Sequence, residues 1–461
     1  MLGRCVRRMK VSPVGLQQGA RGHSTTRYSE LLNADPDDVV ITCIFGNAGA
    51  NAPTLAFDHA LAVAFAAPSF RLFSCPQYAR RTALTRAKKG LWKDTSSDAL
   101  IYKTLHAGLK ESGVAPELVQ DIVVGTCHPS SPCYEVRAAA LAAGFPTSTP
   151  SSTVNRLCGS GLMALRHVSD SIRVGDIDIG VAAGYESMSS HPRPTPLFYE
   201  PAIQATQSAV DCAKPMGWTS EMLALEYDIS RATQDTYGLL SHRRASAAQS
   251  SGKFDAEIMP LRTTVLSDPQ DSKSDRLDVV VCKDDGIRHG LTLEQMAAAR
   301  SAFKGSGDER STGPNSSQVT DGAAMVLLMR RRRAEELGLE VLAKHVGTSV
   351  VGVTPRVMGV GPVEAIPTLL RHAGLTKDDI DLYEINEAFG SMYAYCVEKL
   401  GLDIDKVNVN GGAIALGHPL GATGVRQVAT GVAELRRRGG GLLCTSMCIG
   451  SGMGAAALFV V

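Results

Sequence analysis

Val154-Asn155-Arg156-Leu157-Cys158-Gly159-Ser160-Gly161 is the stretch from which the rest of the chain becomes readable. A β-like run ends near Asn155, and apolar residues at helical spacing follow the cysteine: Leu162, Leu165 and Val168. The pattern predicts a strand, a glycine-rich turn and a helix that begins at Cys158. A thiol at a helix N-terminus meets unpaired N–H groups and the positive end of the helix dipole. That placement favours thiolate, the reactive form. The glycines let a substrate approach the backbone. Taken alone, the same eight residues fit a buried, inert cysteine equally well.

Two further segments change the balance. Val407-Asn408-Val409-Asn410-Gly411-Gly412-Ala413-Ile414-Ala415-Leu416-Gly417-His418-Pro419-Leu420-Gly421 is a second glycine-rich turn, and it carries a histidine. Cys448-Ile449-Gly450-Ser451-Gly452-Met453-Gly454 sets a second cysteine among glycines. A nucleophilic thiol needs a base beside it. A reaction that makes a carbanion needs an acid to quench it. Two thiols and one imidazole meet both needs, and a bland turn explains any one segment better than all three.

With Asn386-Glu387-Ala388-Phe389 added, the chain resembles the thiolases, in particular the degradative 3-ketoacyl-CoA thiolases of the peroxisomal type. The match runs from about Asp37 to Val461. It includes Gly184-Tyr185-Glu186-Ser187-Met188, Pro215–Glu221, Asp285–Arg288, Asn315–Ala324 and Met358–Pro362. The resemblance implies an α/β fold of two duplicated halves in five α-β-α-β-α layers, with an inserted loop domain. It implies thiolytic cleavage of 3-ketoacyl-CoA through an acyl-thioester on Cys158. His418 is then the base, and Cys448 the acid that later activates CoA. His418 and a water held by Asn386 would face the thioester oxygen. The N–H groups of Cys158 and Gly450 would face the tetrahedral oxygen. The resemblance places Arg288, Ser317, Met188, Met358 and Phe389 on CoA, the pantetheine arm or the acyl chain. Glu387 is left open between chemistry and orienting a neighbour. No resident cofactor or metal is implied, because CoA is a co-substrate. A homodimer or tetramer is implied.

Composition agrees with an enzyme of this size. The 461 residues are 44% hydrophobic with a net charge of +1, enough for two or three domains and a large core. Near-neutral charge argues against a general nucleic-acid binder. The 11 cysteines are odd in number and form no C-x-x-C pair, which argues against a disulfide framework or a zinc site. No apolar run reaches the roughly 18–20 residues of a membrane span.

The segment from Met1 to about Ser29 is basic, through Arg4, Arg7, Arg8, Lys10, Arg21 and Arg27, and has no acid. Its composition resembles a mitochondrial presequence. Lys10–Gln18 nearly matches the peroxisomal address of this family, which a peroxisomal import receptor would read. The expected destination is the peroxisome, with the mitochondrial matrix as the alternative.

The domain reading runs as follows: a targeting segment at 1–36, an N-terminal half at 37–188, a loop domain at 189–318, a return at 319–336 and a C-terminal half at 337–461. Asp38–Thr42 reads as a buried strand, Ser97–Ser112 as a helix and Asp121–Gly125 as a strand. The run from Gly113 to Val124 is echoed from Gly374 to Glu384, which suggests an internal duplication.

One stretch departs from the family. Residues Ile44–Arg80 stand where the family passes almost directly from strand to loop. They are poor in charge, whereas surface loops are usually polar. They read as translated non-coding sequence, or else as an apolar insertion that packs on a partner or a membrane. Two other functions stay in view: an acetoacetyl-CoA thiolase working in the biosynthetic direction, and a non-catalytic acyl-CoA-binding protein. A decarboxylating ketoacyl synthase fits less well, because such enzymes use a Cys-His-His or Cys-His-Asn set.

Overall fold

The structure is a computed structural model that describes residues 31, 35–44, 79–271 and 273–461. The targeting reading of 1–36, apart from Leu31, Asp35 and Pro36, and most of the atypical stretch lie outside the described residues.

The long, largely apolar runs of the sequence become the centre of the sheet. Strand β1 (Val39–Ile44) lies antiparallel beside β6 (Thr320–Arg330), every residue of which is buried. On the other flank of β6 runs β5 (Ile179–Ser187), followed by β3 (Asp121–Gly125) and the edge strand β4 (Ser151–Val154). β2 (Ala79–Thr82) also pairs with β6. The other flank of β1 pairs with β7 (Leu339–Gly352). From β7 the sheet continues through β10 (Met453–Val460) and β9 (Leu442–Ile449) to β8 (Leu382–Ile385). Each half therefore has a mixed sheet, and β1 and β7 join the two.

The halves repeat. Helix α1 (Ser97–Ser112) ends on Gly113 at φ 61° and leads to β3; helix α3 (Gly361–Ala373) ends on Gly374 at φ 66° and leads to β8. Glycine serves both ends because the left-handed conformation costs it nothing. Helices α2 (Ser160–Val174) and α4 (Leu420–Arg438) are the paired inner layer. Their apolar faces, including Leu162, Leu165 and Val168 against Val425, Val428 and Val432, share one core with Ala182, Val326, Leu443 and Ala455 of the two sheets. A second core lies outside the first sheet, where Leu100, Ile101 and Leu105 of α1 meet Val181 and Val124.

Two sequence expectations change. Helix α2 begins at Ser160, not at Cys158, because Leu157 takes φ 47° and the chain makes one more turn before the helix. The atypical stretch is also shorter than Ile44–Arg80. Ile44 pairs with Leu339, and Ala79 and Arg80 pair with Val326 and Met325. Arg80 further binds Glu111 and donates to the Ile258 carbonyl at 2.8 Å. No helix among the described residues is long and apolar enough to cross a membrane.

Candidate active site

The N-terminal ends of α2 and α4 meet, and the chemistry sits where they do. Cys158 precedes α2 by two residues, and His418 precedes α4 by two. Cys448 is the penultimate residue of β9, and Gly450 follows that strand. Asn386 follows β8. Cys158 and Asn386 lie in strand-to-helix turns, His418 in the turn between the short helix Ala413–Leu416 and α4, and Cys448 and Gly450 at the turn from β9 to β10.

A cavity of about 570 Å³ opens there. Cys158, His418, Ser317, Met188, Met358 and Phe389 all line it. The wall is otherwise largely apolar, with Pro215, Met216 and Phe303 contributing. Phe303 stands edge-on to Phe389 at 5.8 Å between ring centres. Cys448, Asn386 and Gly450 form the layer behind the lining. The N–H groups of Gly450 and of Cys158 itself both favour the thiolate form of Cys158. Cys448 is completely buried and close enough to Cys158 for their thiolates to repel.

His418 has a defined tautomer. Its Nδ1 lies 2.6 Å from Thr423 Oγ1. The Thr423 hydroxyl spends its own hydrogen on the Pro419 carbonyl at 2.9 Å. Thr423 therefore accepts from Nδ1–H, and Nε2 carries the lone pair that can act as a base. Asn386 Nδ2 donates to that Nε2 at 3.2 Å. Asn386 Oδ1 is buried and has no partner among the described residues. The orphaned oxygen is a costly feature in a core and a useful one beside a substrate.

Burial governs the protonation states. Loss of water pushes the Cys158 thiol up to about 11, against the pull of the Gly450 N–H, its own N–H and the Arg193 charge. Burial likewise drives Cys448 well above the ordinary thiol value. It drives His418 down to about 3, with Arg426 adding to the effect. The expected thiolate at a helix N-terminus is thus corrected. The resting pair is a neutral thiol and a neutral imidazole, because burial outweighs the N–H donors. Burial opposes a charge on either group.

Arg288 stands apart from this group. It is exposed and outside the cavity lining, and its backbone N–H donates to His242 Nδ1 at 3.2 Å. Glu387 is fully buried. It accepts from Ser241 Oγ at 2.5 Å, Asn408 Nδ2 at 2.8 Å and the Ile414 N–H at 3.1 Å. It thereby holds the Gly412–Leu416 turn that leads into His418. Of the two openings left for Glu387, the orienting role is the one its contacts describe.

One glycine reading also changes. A Cβ on Gly161 would lie 2.4 Å from the Gly421 carbonyl oxygen, so this glycine serves helix-to-helix approach and not the substrate. A Cβ on Gly450 would come no nearer than 3.2 Å, to the flexible Leu157 side chain. The strict glycine of that turn is Gly452, at φ 87° and against the Val353 carbonyl. Sequence reading gave no role to Thr423, Phe303 or Met216. Thr423 had a signal: a hydroxyl five residues after the histidine, in the first turn of its helix.

The frame and site define an enzyme suited to covalent acyl transfer through a thiol. Residues 78–332 match the family described as thiolase, N-terminal domain, and residues 339–461 match thiolase, C-terminal domain. The chain is 48% identical over 384 residues to the peroxisomal 3-ketoacyl-CoA thiolase of Yarrowia lipolytica, covering 83% of this chain and 91% of that protein. It superposes on the dimeric peroxisomal thiolase of Saccharomyces cerevisiae with a TM-score of 0.78 at 38% identity, covering 94% of this chain and 99% of that one. A second structure of the yeast enzyme, described as five-layered and built from two core domains of identical topology, matches with a TM-score of 0.69 at 34% identity, covering 93% and 99%. The chain belongs to the thiolase family and has its five-layered α/β fold.

Proposed function

We propose that this thiolase cleaves 3-ketoacyl-CoA with CoA, giving acetyl-CoA and an acyl-CoA two carbons shorter, as the last step of fatty-acid β-oxidation. The observation that carries this reading is the meeting of Cys158 and His418 in one largely apolar cavity, with Cys448 buried next to Cys158. His418 Nε2 takes the Cys158 proton, and the sulfur adds to the 3-keto carbon. The N–H groups of Cys158 and Gly450 face the oxygen that becomes negative; losing one such donor costs on the order of 100-fold in rate. The C2–C3 bond then breaks. Its electron pair passes to C2 and into the thioester oxygen, where imidazolium Nε2 and the Asn386 side chain provide polar contacts. Cys448 protonates C2 to release acetyl-CoA. The Cys448 thiolate next takes the proton of an incoming CoA thiol. That sulfur attacks the acyl group, and the departing Cys158 sulfur recovers its proton from His418.

CoA enters as a co-substrate, with no resident cofactor. Ser317, Met188 and Met358 support the pantetheine arm and the start of the acyl chain, and Phe389 packs near the acyl group. Arg288 reaches only the distal, exposed part of CoA. The relatives named peroxisomal support a peroxisomal destination, reached through an import receptor, and the dimeric yeast enzyme supports a homodimer. The test is a thiolysis assay across 3-ketoacyl chain lengths with Cys158→Ala alongside. Turnover in the natural chain, and a loss of at least about 1,000-fold in the variant, is the expected result. CoA binding with no turnover in either protein would leave only an acyl-CoA-binding module.

A further inference from the structure

Glu186, on β5, takes no part in the chemistry above, yet it lies at the junction of the site. It is wholly buried. Oε1 accepts from the His128 N–H at 2.9 Å, and Oε2 accepts from the Cys127 N–H at 3.1 Å and the Gly421 N–H at 3.0 Å. The first two donors belong to the loop after β3, which borders the cavity through His128. The third belongs to the first turn of α4, three residues beyond His418. Gly421 is itself locked against β5 and α2: its carbonyl oxygen would be 2.0 Å from a Cβ on Gly184 and 2.4 Å from one on Gly161.

We propose that Glu186 is a positioning residue that, as a carboxylate, ties the first turn of α4 to the Cys127–His128 loop and so fixes His418 against Cys158. The inference rests on the thiolase reading of the site. Three N–H donors aimed at two oxygens suit a carboxylate. A carboxylic acid or an amide would turn a hydrogen toward one of them. Burial pushes this carboxyl up to about 7, against the pull of its donors. The other groups around it titrate elsewhere. Burial raises Cys127, Cys158 and Tyr185, and Tyr185 also donates to Glu135. Burial lowers His128, and Arg193 acts on both His128 and Cys158 from the cavity wall. As pH falls through about 7, Glu186 therefore gains a proton, the N–H contacts weaken and kcat declines.

The experiment uses the full chain with Glu186→Gln and Glu186→Asp, each checked for native circular dichroism and melting. Steady-state thiolysis is measured from pH 5.5 to 9. Cys158 alkylation by iodoacetamide, located by peptide mapping, is measured alongside. In Glu186→Gln, kcat should fall on the order of 10- to 100-fold, the scale of a misplaced catalytic group, with KM changed far less. The acid limb near pH 7 should vanish, and Cys158 should alkylate more slowly. Glu186→Asp should retain the limb. A folded Gln variant with natural kcat, acid limb and alkylation would overturn the proposal. Should the natural chain show no thiolysis, the functional reading fails by itself, and alkylation still decides: dependence on residue 186 supports positioning, and independence overturns it.

Discussion

At the scale of single residues, the site works by withholding charge. Cys158, Cys448 and His418 are all held neutral at rest by burial, and the reaction supplies the charge that the N–H donors and Nε2 then meet. This places weight on the His418 tautomer, which rests on Thr423. Thr423→Val keeps the shape and removes the acceptor for Nδ1–H, so the imidazole can turn or shift its proton to Nε2. We expect kcat to drop by about 10- to 100-fold with KM nearly constant, a share of what a positioned general base supplies. Thr423→Ser should restore most of it. Equal losses in the Val and Ser variants would show that packing, not the hydroxyl, matters at this position.

At the scale of elements, the site exists because two helix ends touch backbone to backbone. A Cβ on Gly424 would lie 2.3 Å from the Leu162 nitrogen, and one on Gly161 would lie 2.4 Å from the Gly421 oxygen. The obstacle in each case is main chain, which cannot rotate away. Gly424→Ala should therefore cost about 1–3 kcal/mol, as overpacking does. It should also part His418 from Cys158, so kcat should fall in the fraction that stays folded. Denaturant titration and active-site kinetics of the same preparation measure both; unchanged values in each would refute the tight crossing. This crossing also marks what could be read in the sequence and what could not. Ser97–Ser112 and Asp121–Gly125 were legible to the residue, because helix and strand periodicity are local. The glycine-set cysteine and histidine turns were legible as chemistry for the same reason. The meeting of Gly161 with Gly421 was not, since it joins residues far apart in the chain and leaves no side-chain pattern. The upward shift of Cys158 was equally hidden, because burial is a property of the assembled core.

At the scale of the whole molecule, β1 and β2 are two pieces of one strand. Along β6, Ile41 faces Leu328 and Ala79 faces Val326, which leaves one position, Leu327, between them. Thr42 is the residue that would fill it. A chain running Ile41-Thr42-Ala79 would stay in register, and the thirty-six residues 43–78 are the excess. The faces agree as well. Val39, Ile41 and Ala79 all point into the inner core, while Val40 points into the other, so the alternation of a single strand carries across the join. The bulge in the β1–β7 pairing falls between Ile41 and Thr42, at the place where the chain is diverted. Beyond the join, Arg81 anchors β2 through buried contacts to Glu257 at 2.6 Å and Asp284 at 2.8 Å, and none of these involves the excess stretch. Deleting 43–78 would lose two pairs with β7, Cys43 with Glu340 and Ile44 with Leu339, and would make β1–β2 continuous. Were the thirty-six residues without structure of their own, closing the connection would cost about 3 kcal/mol in chain entropy, which the deletion removes. The shortened chain should therefore fold, melt at a higher temperature and turn over 3-ketoacyl-CoA at least as fast as the full chain. An insoluble or inactive deletion protein beside an active full chain would show that the stretch is part of the working enzyme. Peptides from residues 51–70 in the native protein would show that it is retained there.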